Sequence, residues 1–423
     1  MRISIRPIFT FLFFSIVSGT AFSGGFQVAL QGEKQTGMAH CGAGLALDGA
    51  TLFFNPGGLA FVERNSIHAG FSAIMARFTY QESAPGQYSA SNQFRVSPPF
   101  NIYGHYSVGK NKRFSIGLGV YTPFGSRVAY DPDWKGQFML RELALKAIFV
   151  QPTFSMKVTD WLGVGFGPVI ASGSVELKKA IPAQFPDGTY GQASLAGGGS
   201  GYGFNAGVFV KSPDKKLSAG LSYRSSLLFN APNGSATFSV PDNLAEYFPN
   251  TTFSAKIKLP STTTLGLGYK LSEKITLALD INFVGWAVYD TLAFDFAIET
   301  DKLKDQHSPR EYKNVFVFRL GGQYEIKPNF TLRAGAYFDM TPVQNGYITP
   351  ETPDANKMCF TGGLSYILKD RVGIDLSFLY VEGFKREAVN YENNFGGIFK
   401  ARAFIPGIGF NVLLDGKKAT QMN

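Results

Sequence analysis

The sequence has little cysteine and little charge. Only 2 of its 423 residues are cysteine, which excludes a disulfide-stapled scaffold and a cysteine-rich zinc or iron–sulfur site. Charged residues make up 17% and hydrophobic residues 45%, a balance that excludes intrinsic disorder. No segment after the N-terminus is an uncharged and predominantly apolar run of the ~20 residues that a membrane-spanning helix needs. A disulfide between Cys41 and Cys359 stays open, although we favour two unpaired thiols.

Glycine and aromatic residues are abundant instead. The chain has 48 Gly, 40 Phe and 19 Tyr, a composition that indicates a long all-β protein with apolar surface exposed. The formal net charge is +9, but Lys and Arg are spread along the chain without a dense run, so we expect no nucleic-acid partner. Charged loops facing anionic lipid headgroups explain the excess more simply.

The N-terminus has the three parts of a secretory signal peptide. Arg2 and Arg6 precede a short apolar stretch, and the small residues Ala21 and Ser23 precede a cleavage point at Gly24. We therefore expect residues 1–23 to be removed. The mature protein would then lie outside the cytoplasm.

Apolar and polar residues alternate along most of the mature chain. In the segment 113–123, for example, Phe114, Ile116 and Leu118 alternate with Ser115 and Gly117. Strict alternation places the two sets on opposite faces of a strand. The long strands and their small, polar second face favour a transmembrane β-barrel with a polar lumen over a soluble sandwich. Fourteen segments fit this pattern: 65–80, 99–109, 113–123, 145–158, 161–178, 201–211, 216–230, 253–270, 274–297, 312–326, 329–341, 357–368, 371–386 and 398–414.

These segments predict an all-β, antiparallel barrel over residues 65–414, in the outer membrane of a Gram-negative bacterium. Residues 24–64 do not alternate and are rich in small residues, so we expect an N-terminal hatch, or plug, inside the lumen. A polar tail, 415–423, follows the last strand. We expect a monomer that contacts outer-membrane lipid and lipopolysaccharide and is inserted by the barrel-assembly machinery.

The sequence has no pattern that indicates an enzyme, a cofactor or a metal site. The four His residues are far apart, and phosphate-binding and nucleophile-elbow motifs are missing. Asp280, Arg333, Asp339 and Asp375 fall on predicted lumen faces. They predict a paired charge network inside the barrel, with binding of a ligand headgroup as the alternative.

Short motifs in a fixed order resemble the FadL/TodX family of outer-membrane transporters for long-chain fatty acids and other hydrophobic compounds. The predicted hatch begins near a Gly-Phe pair, Gly25-Phe26, and contains Asn55-Pro56-Gly57, where the family has Asn-Pro-Ala. Further motifs follow at 121–125, 134–136, 259–261, 265–269, 332–335, 339–343 and 353–354. The resemblance thus covers nearly the whole chain.

The resemblance implies a fourteen-stranded barrel and a passive route without energy coupling. The ligand would lodge in a groove between the third and fourth extracellular loops and move to a pocket above the hatch. It would leave sideways through a gap at a kink in the third strand. Phe26, Asn55 and Pro56 would belong to the gate, with a purely structural packing role as the alternative.

We assign the two loops to segments 124–144 and 179–200, which are apolar for exposed loops. The candidate groove residues are Trp134, Phe138, Leu140, Leu143, Ile181 and Phe185. The candidate headgroup cations are Lys178, Lys179, Arg310 and Lys313. Where relatives have Arg on the fifth strand, this chain has Ala171-Ser172-Gly173-Ser174, which leaves an uncharged hydrocarbon as an alternative ligand. The alternative function is a structural or adhesive barrel, or a narrow porin with a fixed plug.

Overall fold

The computed structural model describes residues 25–109 and 112–414. The predicted signal peptide, residues 1–23, and the polar tail, residues 415–423, lie outside the described residues. Within the described part, no helix has the length and apolar character needed to cross a membrane.

Fourteen antiparallel strands form one closed sheet. Several strands are interrupted by a short break and consist of consecutive pieces. The first seven are β1 (Ser66–Ser72, Ile74–Gln81), β2 (Ser89–Ser91, Val96–Ser97, Phe100–Val108), β3 (Phe114–Ala129), β4 (Glu142–Lys157), β5 (Leu162–Gln184), β6 (Tyr190–Lys211) and β7 (Leu217–Arg224, Leu227–Ser239). The second seven are β8 (Thr251–Leu259, Ser261–Lys270), β9 (Ile275–Gly285, Thr291–Phe296), β10 (Gln306–Pro309, Val315–Lys327), β11 (Phe330–Asp339), β12 (Lys357–Leu368), β13 (Val372–Gly383, Arg386–Asn390) and β14 (Phe395–Leu413).

Each strand pairs with its sequence neighbours, and the last strand closes the barrel on the first. The register of β1 with β14 runs from Ser66–Leu413 to Ser72–Gly407. This closure pairs the edges of the first and last strands, which matters in a membrane that has no water to satisfy edge amides. The fold and strand number predicted from the alternation are confirmed.

The apolar face of the alternation points outward. On β3, Phe114, Ile116 and Leu118 are exposed at 53%, 46% and 50%, whereas Ser115 between them is buried. The same inversion recurs on β13, where Leu376 is exposed and Asp375 is buried. An exposed apolar band around a polar interior is the arrangement that a bilayer requires.

The strands extend further than the alternation predicted. The segments 124–144 and 179–200 were expected as long loops, but β3 continues to Ala129 and β5 to Gln184. The two connections shrink to 130–141 and 185–189. In both hairpins, β3–β4 and β5–β6, the strands stay paired beyond the stretches in which apolar and polar residues alternate.

Residues 25–65 fill the lumen as the hatch. It contains two one-turn helices, α1 (Glu33–Thr36) and α2 (Thr51–Phe54), and a 3-10 helix, Pro56–Phe61. A further 3-10 helix, Asp242–Tyr247, lies in the β7–β8 connection, and another, Trp286–Val288, lies in the break within β9. Nearly all hatch residues are buried. Because its helices are so short, the hatch is held in place mainly by contacts with the barrel wall.

Candidate functional site: an apolar cavity above the hatch

An apolar cavity of about 1120 Å³, counting the part open to solvent, lies inside the barrel. We call it the upper cavity. Phe26 and Tyr289 line one part of it. Its walls are mainly aliphatic and aromatic side chains from several strands: Leu143, Leu145, Val175, Leu177, Phe229, Ile257, Leu292 and Phe294. Such a lining, with a few polar groups, is typical of a site for an apolar or amphipathic small molecule.

The polar lining of the upper cavity includes two cations. Arg310 Nη2 forms an ion pair with Glu351 Oε1 at 2.8 Å, and the Arg310 side chain is only 7% exposed. Lys179 Nζ donates to the neutral amide oxygen of Gln306 at 2.9 Å. The charged residues that line this cavity therefore carry one more positive than negative charge, which suits an anionic headgroup.

The other two candidate cations lie elsewhere. Lys178 points away from the cavity and pairs with Glu142 at 3.0 Å. Lys313 is exposed and does not line the cavity. Lys178 and Lys179 are neighbours on one strand and therefore face opposite sides of it. Sequence reasoning selected both, because it did not establish which of the two faces the cavity.

The candidate groove residues do not form one surface. Leu143 lines the upper cavity, and Phe138 is 40% exposed and contacts Tyr190 with ring centroids 5.0 Å apart. Ile181 is buried in a small separate cluster, and Phe185 begins the β5–β6 turn.

Trp134 and Leu140 are buried, which corrects the expectation of exposed loop surface. Trp134 stacks on Tyr130 at 4.1 Å and donates its indole N–H to the Leu140 carbonyl at 2.7 Å. Trp134 is 2% exposed and Leu140 0%. The loop numbering was also wrong: the connections 130–141 and 185–189 are the second and third on their side of the barrel, because 82–88 precedes them.

Phe26 forms the floor of the upper cavity. It is 8% exposed and packs against Trp286 at 5.1 Å, Tyr289 at 5.6 Å and Phe124 at 6.0 Å. Sequence reasoning selected Phe26 but missed its partners. They come from β3 and the break within β9, and only barrel closure brings them together.

The third strand has a bulge beside Phe26. The β3–β4 register shifts between Tyr121 and Phe124, so that Thr122-Pro123 adds one residue to β3 relative to β4. The displaced backbone binds the start of the hatch: Val28 N–H donates to the Pro123 carbonyl at 2.8 Å, and Gly125 N–H to the Phe26 carbonyl at 3.2 Å.

The same bulge ends the pairing of β3 with β2. The paired register stops at Asn101–Tyr121. Beyond it, within the described residues, the next backbone bond joins Gln93 N–H to the Ala129 carbonyl at 2.7 Å. The Thr122 hydroxyl bonds the Phe100 backbone at 3.1 Å and bridges the first part of this interval. Few hydrogen bonds therefore join β2 to β3 beside the start of the hatch, and we call this stretch of the wall the weakly joined interval.

Asn55 and Pro56 fix the hatch to the wall at another point. Asn55 is fully buried; its Oδ1 accepts from Gly57 N–H at 3.0 Å, and its Nδ2 donates to the carbonyls of Ala43 and Val208 at 2.9 and 3.0 Å. Pro56 begins the 3-10 helix, where its missing N–H leaves no orphan donor. This geometry favours the anchoring role for the pair over a moving part.

The charged lumen residues form a network that also holds the hatch. Asp280 Oδ2 accepts from the backbone N–H groups of Gly42 and Ala43 at 2.9 and 3.0 Å. Arg333 donates to Ser365, which is bonded in turn to Asp375. The predicted pairing is seen in part: Asp339 pairs with Lys357 at 3.9 Å and Arg333 reaches Asp375 through Ser365, whereas Asp280 binds the hatch backbone. A second part joins Glu33 of α1 to His68 of β1 at 2.7 Å.

A closed fourteen-stranded barrel with an apolar outer band and an internal hatch defines an outer-membrane transport channel. Comparison with known proteins agrees. The family model described as outer membrane protein transport protein (OMPP1/FadL/TodX) matches residues 14–412. This chain therefore belongs to the FadL/TodX family. The predicted outer-membrane location is thereby confirmed, and family members are channels rather than enzymes.

Individual relatives are distant but match along most of their length. A putative outer membrane protein of Neisseria meningitidis serogroup B is 26% identical over 419 residues, covering 86% of this chain and 89% of the relative. A long-chain fatty acid transport protein of Escherichia coli O6:H1 is 23% identical, with 94% and 96% covered.

Solved structures show the same fold. A FadL homologue of Pseudomonas aeruginosa superposes with a TM-score of 0.80 at 18% identity, covering 93% of this chain and all of the homologue. The toluene transporter TodX of Pseudomonas putida superposes with a TM-score of 0.71 at 17% identity, covering 91% of this chain and 99% of TodX.

Proposed function

We propose that this protein carries long-chain fatty acids, or closely similar amphipathic carboxylates, through the outer membrane by passive diffusion. The upper cavity is the observation that supports this: one apolar space is lined by both Lys179 and Arg310. Burying an acyl chain there gains about 0.8 kcal/mol for each CH₂ removed from water. The two cations supply charge-assisted hydrogen bonds for the carboxylate.

Lys179 takes the place of the missing arginine on the fifth strand. The segment Ala171–Ser174 has no basic residue, but β5 continues well beyond it and presents Lys179 to the same cavity as Arg310. This arrangement favours a carboxylate over an uncharged hydrocarbon. A hydrocarbon would leave the excess positive charge without a partner.

Exit sideways into the membrane is the second part of the proposal. Phe26 closes the cavity at its floor, and the weakly joined interval of β2 and β3 begins beside it. Movement of residues 26–28 away from the β3 bulge would connect the cavity with this interval. An apolar molecule would then reach lipid without entering water. Asn55-Pro56 would stay in place as the anchor.

Binding of palmitate and of methyl palmitate to the purified protein tests the headgroup site. We expect the wild type to bind palmitate about 10- to 100-fold more tightly than the ester, the range set by one charge-assisted hydrogen bond. The double variant Lys179→Gln/Arg310→Gln should lose most of this preference for the acid. The matched double variant Lys178→Gln/Lys313→Gln should behave like the wild type.

Equal binding of acid and ester by the wild type would contradict a carboxylate site and favour an uncharged hydrocarbon. Failure of the wild type to bind either ligand, together with steady ion conductance through the reconstituted protein, would favour the narrow porin.

A further inference from the structure

A second cavity is lined in part by the start of the hatch. Phe26 lines the upper cavity, and the next residue, Gln27, lines the second. The second cavity measures about 600 Å³, counting the part open to solvent. We call it the lower chamber and define it by its polar and charged lining: Gln27, Gln31, His40, Arg224, Asp280 and Arg319.

Arg224 is held rigidly beside the hatch. Its Nη1 donates to the Tyr121 hydroxyl and its Nη2 to the Phe53 carbonyl, both at 2.8 Å. The guanidinium also stacks on the Phe53 ring at 4.1 Å. A guanidinium has five N–H donors, and these bonds, the ones formed within the described residues, use two of them.

Arg319 is held in the same manner on β10. Its Nε donates to Asn282 Oδ1 at 2.7 Å and its Nη1 to the Ala39 carbonyl at 3.1 Å, and it stacks on Tyr337 at 4.4 Å. Among the described residues, these bonds also use two of its five donors. Two oriented guanidinium groups with unused donors thus line one small chamber.

The chamber carries excess positive charge. Its remaining ionisable groups are Asp280, whose Oδ2 binds the hatch backbone, and His40. His40 Nε2 accepts from Gln31 N–H at 3.2 Å, and burial, aided by Arg319 and Arg224, lowers the pKa of His40 well below its usual value. His40 is therefore neutral at pH 7. The two arginines outnumber the one carboxylate, and an uncompensated buried charge favours an anion.

The lower chamber also borders the β3 bulge. Gln31 Nε2 donates to the Thr122 carbonyl at 3.2 Å, and Gln27 pairs with Phe124 in an isolated β-bridge. A molecule that passed Phe26 would thus meet the arginines at the point where β3 separates from β2.

We propose that the lower chamber is a second carboxylate site, in which Arg224 and Arg319 receive the ligand headgroup after it leaves Lys179 and Arg310. The inference rests on the proposed function and adds a step to it. The headgroup is held by protein cations while the acyl chain turns into the opening between β2 and β3. Planar guanidinium groups match the two oxygens of a carboxylate.

Uptake of palmitate and methyl palmitate into proteoliposomes tests the lower chamber. The double variant Arg224→Gln/Arg319→Gln should take up palmitate at least tenfold more slowly, with methyl palmitate uptake within twofold of wild type. Its equilibrium affinity for palmitate should stay within twofold, because the upper cavity keeps its cations. Arg224→Lys/Arg319→Lys should recover part of the palmitate rate. Arg371→Gln, at an exposed arginine in the β12–β13 turn, is the matched control.

Unchanged palmitate uptake in the glutamine double variant would overturn the inference, and so would an equal loss for acid and ester, which would indicate a structural role. Heat-modifiable migration on gels shows whether each variant is folded. If the double variant is not folded, Arg319→Gln alone carries the same acid-versus-ester comparison. A wild type that transports neither ligand would contradict the proposed function itself, and this inference with it.

Discussion

Phe26 lines the upper cavity and the adjacent Gln27 lines the lower chamber, so we expect removal of the Phe26 ring to open a passage between them. We predict that Phe26→Ala increases palmitate uptake severalfold, because the contacts with Trp286, Tyr289 and Phe124 that seal the floor are lost. Loss of a buried Phe also costs about 3–5 kcal/mol of stability. Proteoliposome uptake gives the measurement, and gel migration confirms the folded barrel.

Phe399→Ala is the matched control for this change. Phe399 is 2% exposed and belongs to the aromatic cluster around Tyr80, away from both cavities. It should lose comparable stability with uptake within twofold of wild type. Equal effects of the two substitutions on uptake would remove Phe26 from the gate.

Gly57 stands where the family motif has Ala, and the structure supplies a reason. A Cβ at this position would lie 2.6 Å from the Gly207 carbonyl oxygen and 2.9 Å from that of Gly163. We predict that Gly57→Ala, although it restores the family motif, loosens the hatch and speeds amide exchange over residues 42–61. Gly362→Ala, where a Cβ would meet open space, should leave exchange unchanged. Unaltered amide exchange in Gly57→Ala would contradict the close packing of Gly57 against the Gly207 and Gly163 carbonyls.

Individual site residues could be predicted only where a motif or the apolar–polar alternation marked a single side chain in the sequence. Phe26 and the lumen carboxylates stood out in the sequence by motif and by alternation. Arg224 and Arg319 did not, because nothing local distinguishes them from other strand arginines. Their function depends on Phe53, Asn282 and Ala39, which are brought together from β9 and the hatch by tertiary structure.

At the scale of elements, the hatch should respond to acid through His40. The pKa of His40 is depressed in the seated hatch, whereas a released hatch would leave it near 6.5. The released state therefore binds the proton better as the pH falls below about 6.5. Each further pH unit should cost the seated hatch about 1.4 kcal/mol until the depressed pKa is reached.

Hydrogen exchange of the hatch at pH 7 and pH 5 measures this effect. After correction for the intrinsic exchange rate, which is itself slower at pH 5, the protection of the hatch amides should fall at pH 5 in the wild type but not in His40→Gln. The Lys34–Asp48 ion pair does not contribute in this range. Burial alone would raise the pKa of Asp48, but Lys34 at 3.1 Å holds it at about 2, so the carboxylate stays charged. Identical pH dependence in both proteins would exclude His40 as the cause.

Strand positions were predictable because a bilayer forces strict alternation on every spanning segment. The continuation of β5 to Gln184 was not, because beyond the membrane nothing requires its outer face to be apolar. The bulge of β3 was also hidden. Pro123 marks it in the sequence, but Pro152 and Pro168 lie within β4 and β5 without the same effect on the hatch.

At the scale of the whole molecule, we propose that the barrel is a fixed frame and that the hatch is its adjustable part. Strand closure and the Asn55-Pro56 anchor hold one part of the hatch against the wall. The N-terminal part, residues 26–28, is joined to β3 by a few backbone bonds. In the proposed route only these bonds and the ring contacts of Phe26 have to break, which agrees with a passive route.

A reversible disulfide between the hatch and β3 tests this account most directly. Gln27 and Phe124 are partners in an antiparallel bridge. Such partners have Cα atoms about 4.5–5.5 Å apart, within the span of a disulfide. Palmitate uptake should be measured in proteoliposomes containing Gln27→Cys/Phe124→Cys, oxidised and then reduced, with each single variant as control. We predict at least a tenfold loss of uptake on oxidation and full recovery on reduction, with both single variants insensitive to oxidation. Equal uptake by the oxidised and reduced double variant would show that ligands cross without moving the hatch from β3, and would contradict the account.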